Sequence, residues 1–486
     1  MDSDKRPFFD PTPDAVRDFI ARVPRWAGDD DPCFWPEARL VERRNELLRR
    51  QVGWLAAGSA HYRQKFADAD VDVAAIRTTD DLQALPVTTK QDLMADPESF
   101  HLRLPDRNLY DMTYATVYTT GTTAGVPTRY DYTSYDYLGV LMAGRRMFKM
   151  HCAVPGDVLY AAFPLSPVPH VSGFGGPFAH AAGIGFYHAF AGEPHPEFPV
   201  QQSTATVINE VERVRPTILG GIGSFLRRLF LESAREGRDL SSISLVMASG
   251  EVLTRRMLDD MRENLERCGA KRPMITASYG FTEGAFPFPQ TFDGGPLQSS
   301  APDQIYIEVL DPETHERLPD GDVGLVAVTH LNRRGMPLVR YLLGDRGAVT
   351  NARCDRTGRV GQAMLVSVGS AHIQRTGDIV KIKGTLVNPA VIHDVVMNTP
   401  GIVEYQVVVS RQDPEDDLSP DRFVIKVAVD ADSRGAWDGT RAAAVEFARR
   451  VKGATEVTPE VEVVAEPSDI YDHLRELKAR RLLDLR

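Results

Sequence analysis

The densest run of residues able to do chemistry is Thr119-Thr120-Gly121-Thr122-Thr123-Ala124-Gly125-Val126-Pro127-Thr128. Glycines let successive backbone N–H groups approach an anion closely, and clustered hydroxyls add donors, so the segment is a candidate phosphate cradle. It lacks the Gly-Lys-Ser/Thr ending and following helix of a Walker loop, and a hydroxyl-rich run of this kind also occurs as a plain turn. Further on, Ala277-Ser278-Tyr279-Gly280-Phe281-Thr282-Glu283 ends a short loop in one carboxylate. A single acid there suits Mg²⁺, which takes few protein ligands and completes its shell with phosphate and water; taken alone, such an acid is more often simply solvated. Asp345, after Gly344, offers two acceptor oxygens to neighbouring donors or simply closes a turn.

These positions need elements to hold them. Residues 12–106 read as a helical and loop-like covering region, with apolar residues at helical spacing in RLVERRNELLRRQVGWLAAGSAHYRQKF and acidic residues at a helix start in TTDDLQAL. From about Tyr110 to Val252 strand-like and helix-like runs alternate: DMTYATVYTT, VQQSTATVINEVERVRP, TILGGI and ISLVMASG. That alternation predicts a doubly wound α/β core. After Ser300 the run QIYIEVLDPETHERLPDGDVGLVAVTHL reads as two strands around a Pro/Asp/Gly turn, hence a small β-rich subdomain. The last hundred or so residues, from IVKIKGTLVNP onward, read as a compact α+β module. The expected division is 1–374 for a large N-terminal domain and 375–486 for a small α+β C-terminal one.

Bulk properties narrow the function. Length predicts several domains, and 43% hydrophobic with 25% charged residues is an ordinary globular composition. A formal net charge of −11 argues against a nucleic-acid partner, which needs an extended basic face. Cys33, Cys152, Cys268 and Cys354 are too scattered for a disulfide framework or a CxxC metal site and read as buried, reduced thiols. The N-terminus MDSDKRPFFDPTPD has no apolar signal core, which predicts a cytoplasmic protein. The long uncharged stretch Val158 to Gly192 contains Pro164, Pro167, Pro169 and Pro177, so it reads as core and pocket lining rather than as a membrane span.

The Thr/Gly loop resembles the TSGTTGxPK loop of the adenylate-forming superfamily, and further segments resemble that family's motifs in the same order. Ala248-Ser249-Gly250-Glu251 is similar to the strand-end loop that meets adenine, and Tyr279-Gly280-Phe281-Thr282-Glu283 to the YGxTE segment. Met336-Pro337-Leu338-Val339-Arg340-Tyr341-Leu342-Leu343-Gly344-Asp345 is similar to PxxRYxTGD, with Leu343 where the family has threonine. Gln374-Arg375-Thr376-Gly377-Asp378-Ile379-Val380-Lys381-Ile382-Lys383-Gly384 resembles the GRxDDxxKIRG hinge, with Gln374 for a glycine and Gly377 where aspartate or lysine is usual. The tail Leu477-Lys478-Ala479-Arg480-Arg481 resembles the Lys-Ala-Arg/Lys-Arg end of phenylacetate-CoA ligases, although Tyr-Asp-His-Leu-Arg-Glu-Leu before it departs from their pattern.

The resemblance, closest to the phenylacetate-CoA ligase branch, implies roles. Thr119, Thr120, Gly121, Thr122, Thr123 and Gly125 would cradle ATP phosphates, and Glu283, beside Thr282, would hold Mg²⁺. Ser249, Gly250, Glu251, Tyr279, Gly280, Asp345 and Arg375 would bind adenine and ribose, Asp345 taking the ribose hydroxyls. Lys478 would be the catalytic lysine, a flexible ammonium bridging two anions as carboxylate meets the α-phosphate; its structural alternative is a charged turn on a C-terminal amphipathic helix. Phe163, His170, Gly173, Gly221, Gly223 and Ser278 would line the acyl pocket, whose apolar character points to an aromatic or alicyclic acid. For His170, a lone histidine among apolar residues, a structural role stands equally open. The implied reaction is ATP-dependent formation of an acyl-adenylate followed by transfer to CoA. Alternatives are transfer to an amino acid or amine, as in coronafacate ligase-like amide synthetases, and a nucleotide-binding regulator without catalysis. A homo-oligomer is compatible with the sequence.

Overall fold

The computed structural model describes residues 31–486 except 107–108, 120–126, 164–170, 193–199, 251–252, 254, 293, 355–357, 359, 366–373, 376–379, 384, 414–415, 417–418, 439–441, 467–468 and 471–480. Helices α1 (Glu37–Gly58), α2 (Ala60–Asp68) and α3 (Lys90–Ala95) open the described chain. The apolar stripe of α1, including Leu47, Leu48, Val52 and Leu55, is fully buried in the main core. Each such side chain contributes about 1.5–3 kcal/mol. The segment is therefore part of the body rather than a cover laid on it.

The central layer begins with a hairpin of β1 (Thr113–Tyr118) and β2 (Arg129–Thr133). Thr133 ends β2 and starts α4 (Ser134–Met150) through a capping box with Asp136. There follow β3 (Val158–Phe163), α5 (Gly175–Ala182), β4 (Gly185–Phe190), α6 (Thr204–Val214), β5 (Ile218–Ile222), α7 (Gly223–Glu236), β6 (Leu245–Ser249), α8 (Arg255–Arg267), β7 (Met274–Tyr279) and β8 (Phe288–Pro289). The strands form one sheet in the order β4-β3-β5-β6-β7-β8, parallel except for β8. Alternate residues face opposite layers. Leu159, Ala161, Ile218 and Met247 pack with α4 and α5, whereas Tyr160, Ala162, Leu219 and Val246 pack with α6, α7 and α8. Helices on both faces make this the doubly wound core that the alternating pattern implied.

The expected β-rich region is present. After β9 (Leu297–Gln298), the strands β10 (Ile305–Leu310), β11 (Gly324–His330) and β12 (Tyr341–Gly347) form an antiparallel meander, and β13 (Val349–Arg353) and β14 (Val360–Met364) pair beside β9. Strand β15 (Gln374–Arg375) adds to β12, so the meander's sheet runs to Arg375. Beyond it, the hairpin β16 (Val380–Ile382) and β17 (Thr385–Val387) leads into α9 (Pro389–Met397). The terminal sheet is built from β18 (Ile402–Arg411) and β19 (Asp421–Val429), α10 (Arg434–Asp438), α11 (Ala442–Thr455), β20 (Glu460–Val464) and β21 (Leu482–Asp484), in the strand order β20-β19-β18-β21. Its core, centred on Val407, Phe423, Ile425 and Phe447, is separate from the other two.

Two expectations need correcting. Cys152 is exposed while the other three thiols are buried, because it sits just past the end of α4 at φ +59. Leu482–Asp484, which belonged to the amphipathic-helix alternative for the tail, is instead a strand parallel to β18. No described helix is long and apolar enough to cross a membrane.

Candidate active site at the carboxyl ends of the parallel sheet

The parallel register puts the singled-out segments at one level. Ala162 pairs with Gly221, Gly221 with Ala248 and Ala248 with Ala277; one step on, Ile222 pairs with Ser249 and Ser249 with Ser278. The strands thus end together at Phe163, Ile222, Ser249 and Tyr279, where open α/β sheets bind ligands. Gly250 turns the chain away at φ +88, a conformation that costs glycine nothing. Ser249 and Ser278 are half-buried and Gly280 is exposed, with nothing within 4 Å of where its Cβ would stand. The rim is therefore open to a ligand.

Glu283 lies below that rim, 6% exposed. The Tyr341 hydroxyl donates to its Oε1 at 2.9 Å. Burial, and then the charge of Glu283 itself, pushes the Tyr341 phenol far above its ordinary range, so it remains a donor. The backbone on either side is gripped as well. The Tyr132 hydroxyl donates to the carbonyl of Thr282, and Arg333 Nη2 donates to that of Gly284. Among the described residues no three His, Cys, Asp or Glu side chains gather as a metal cage. A divalent ion here would rest on Glu283, a donor that fits Mg²⁺, which takes few protein ligands and completes its shell with phosphate and water.

Asp345, 8% exposed, accepts a 2.7 Å hydrogen bond on Oδ2 from the Tyr279 hydroxyl. This joins the end of the parallel sheet to the β-rich meander. The Tyr279 ring also sits 6.0 Å from Phe281 and 6.2 Å from Phe288, an aromatic cluster beside Asp345. Across the β12–β15 ladder, Asp345 shares a rung with Arg375. Residues from the carboxyl end of a sheet, from a hairpin and from the hinge segment are thereby brought together.

The cradle loop spans the β1–β2 hairpin. Its neck is closed twice: Thr119 N–H donates to the Thr128 carbonyl, and Thr128 N–H donates to Thr119 Oγ1, both at 2.9 Å. Thr119, assigned above to phosphate contact, thus has its hydroxyl oxygen engaged in latching the loop. Thr120, Gly121, Thr122, Thr123 and Gly125 lie outside the described residues, as do His170, Glu251 and Lys478 and the side chain of Arg375.

On the acyl side, Phe163 is half-buried at the end of β3. A Cβ at Gly220 would stand 3.8 Å from its ring. Gly221 faces the other way: its Cβ would meet the Ala162 carbonyl and Leu226, each at 2.9 Å, so this glycine serves sheet and helix packing rather than the Phe163 face. Gly223 is buried as the first residue of α7, and Gly173 is exposed. Sequence reasoning missed Tyr132 and Arg333; Gly220, with Gly221 to Phe225, it reads as part of a pocket wall. Tyr341 was inside the quoted MPLVRYLLGD segment, but nothing local marked it as the partner of Glu283.

The comparisons with known proteins agree with this layout. The AMP-binding enzyme model matches residues 59–332, more than half of the chain, and the AMP-binding enzyme C-terminal domain model matches 384–486. The chain therefore belongs to the AMP-binding enzyme family, whose members form acyl-adenylates from carboxylic acids and ATP. Among its relatives, the phenylacetate-coenzyme A ligase of Thermus thermophilus is 28% identical, the match covering 93% of this chain and 98% of that protein. That of Escherichia coli is 25% identical over 79% of this chain and 83% of its own length. A crystal structure of 2-hydroxyisobutyryl-CoA ligase in the postadenylation state superposes with a TM-score of 0.74 at 21% identity, covering 95% of this chain and 94% of that one. The protein is a ligase of the adenylate-forming class.

Proposed function

We propose that the protein activates an apolar, aromatic or alicyclic carboxylic acid with Mg²⁺ and ATP, then passes the acyl group from the adenylate to the thiol of CoA. The observation that carries this reading is the junction of two sheets, where Tyr279 reaches Asp345 while Tyr341 reaches Glu283. In this reading Asp345 and Arg375 hold the ribose, Ser249, Gly250, Glu251, Tyr279 and Gly280 frame the adenine, and the Thr120 to Gly125 loop takes the phosphates. Glu283 anchors the metal, which neutralises charge on the phosphates when bound. Phe163, His170, Gly173, Gly223 and Ser278 border the acid, with Gly220 added and Gly221 behind them. Lys478 bridges the acid carboxylate and the α-phosphate as charge accumulates there.

The carboxylate attacks the α-phosphate and expels pyrophosphate, which leaves AMP on the acyl carbon; the CoA thiolate then attacks that carbon and expels AMP. Between the two steps the module 375–486 turns about the Arg375–Gly377 segment relative to 1–374. CoA as acceptor is supported by relatives named phenylacetate-coenzyme A ligase and by a solved 2-hydroxyisobutyryl-CoA ligase bearing CoA in its thioesterification state. The test is to incubate the purified protein with an acid panel, ATP, Mg²⁺ and either CoA or mixed amino acids. Mass spectrometry should find an acyl-CoA thioester; an acyl-amide formed in its place would overturn the acceptor.

A further inference from the structure

The loop between β11 and β12 is fixed amide by amide. Arg333 N–H donates to Gln51 Oε1 at 2.7 Å, Arg334 N–H to Asp136 Oδ1 at 2.8 Å and Gly335 N–H to Asp136 Oδ2 at 3.0 Å. Held this way, the Arg333 side chain enters the interior and is 1% exposed. Its guanidinium lies 4.8 Å from the Tyr132 ring centre and 4.6 Å from that of Phe286. Its Nη2 donates to the Gly284 carbonyl, while Nε and Nη1 have no hydrogen-bond partner among the described residues. The neighbouring arginine shows the contrast: Arg334 is paired with Asp111 and Asp106. A buried cation with no carboxylate ion-paired to it among the described residues is costly, and stacking on two rings returns only part of that cost. Packing alone is a poor reason to place it there.

We propose that Arg333 is a positioning residue for adenylation: by holding the Gly284 carbonyl while Tyr132 holds that of Thr282, it sets the Glu283 carboxylate in the pose that receives the metal on ATP. Tyr341 fixes the remaining freedom by donating to Oε1. Three side chains from β2, the β11–β12 loop and β12 thus converge on one turn. A carboxylate set before binding loses less conformational freedom when the ion arrives. The inference rests on the reading of Glu283 as the metal ligand.

The experiment measures Mn²⁺ binding by electron paramagnetic resonance in the presence of α,β-methylene-ATP, alongside the Mg²⁺ dependence of ATP–pyrophosphate exchange. Arg333→Gln should weaken Mn²⁺ binding and raise the half-saturating Mg²⁺ by about tenfold, with Arg333→Lys recovering part of the loss and metal-free AMP binding changed less than about twofold. Should Arg333→Gln not fold, Tyr132→Phe and Tyr341→Phe carry the test, each with a roughly threefold shift in the same two readouts. Glu283→Gln separates the two claims. If Glu283→Gln leaves Mn²⁺ binding intact, the metal-ligand reading is wrong. If Glu283→Gln abolishes it while the Arg333, Tyr132 and Tyr341 variants bind as the parent does, Arg333 is merely structural and the inference fails.

Discussion

Glu283 is gripped from Tyr132, Arg333 and Tyr341, which reach it from three separate elements of the N-terminal body. Lys478, proposed for the chemistry, lies outside the described residues, in the C-terminal module between the buried Ile470 and Arg481. There Arg481 pairs with Glu404, donates to the Tyr405 carbonyl at 3.0 Å and lies 4.6 Å from the Tyr405 ring, while β21 continues along β18. The first set of contacts fixes a turn within the N-terminal body; the second lies within a separately cored module. In the proposed reading this separates duties: groups that meet ATP in a constant pose are set into the sheet junction, and the group needed as charge develops is carried by the other module.

This contrast predicts which kinetic constant each substitution moves. Lys478→Ala should lower the rate of ATP–pyrophosphate exchange by about 10²–10³-fold, the usual loss when one preorganised donor is removed, while equilibrium dialysis still finds ATP bound. Unchanged exchange would remove Lys478 from the chemistry. Asp345→Asn should act in the opposite sense, raising the ATP KM by roughly 10- to 100-fold, equivalent to about 1.5–3 kcal/mol for hydrogen bonds to a charged group, with a smaller change in kcat. A pure kcat effect would blur the two regions. Smallest is Arg481→Met, which frees the tail's anchor without touching the body: exchange should slow by roughly tenfold through misplacement of Lys478, with the ATP KM unmoved. Equal shifts in both constants would mean that the tail and the nucleotide site are not separable.

Much of this was legible because it is local. The strands TILGGI and ISLVMASG, the hairpin around the Pro/Asp/Gly turn and the α/β alternation all follow from short-range periodicity, and β5, β6, β10 and β11 stand where those patterns put them. The rim residues Ser249, Tyr279 and Asp345 were legible because their motifs carry chemistry in a readable order. What supports them was not. Tyr132 meets Thr282 across 150 positions of sequence, and Arg333 meets Gly284 across 49, contacts that only tertiary packing creates. Neighbouring glycines in a strand also look alike in sequence, yet the pleat points Gly220 toward Phe163 and Gly221 toward Leu226. The short strand β21 gave no periodic signal of its own and depends on β18 for its pairing.

In the proposed reading the sheet junction joins an acid to AMP. Its most direct test is exchange of labelled pyrophosphate into ATP by the intact protein across a panel of aromatic and alicyclic acids. The account predicts exchange that requires an acid, ATP and Mg²⁺ together; a folded, ATP-binding protein that supports no exchange with any acid would contradict it.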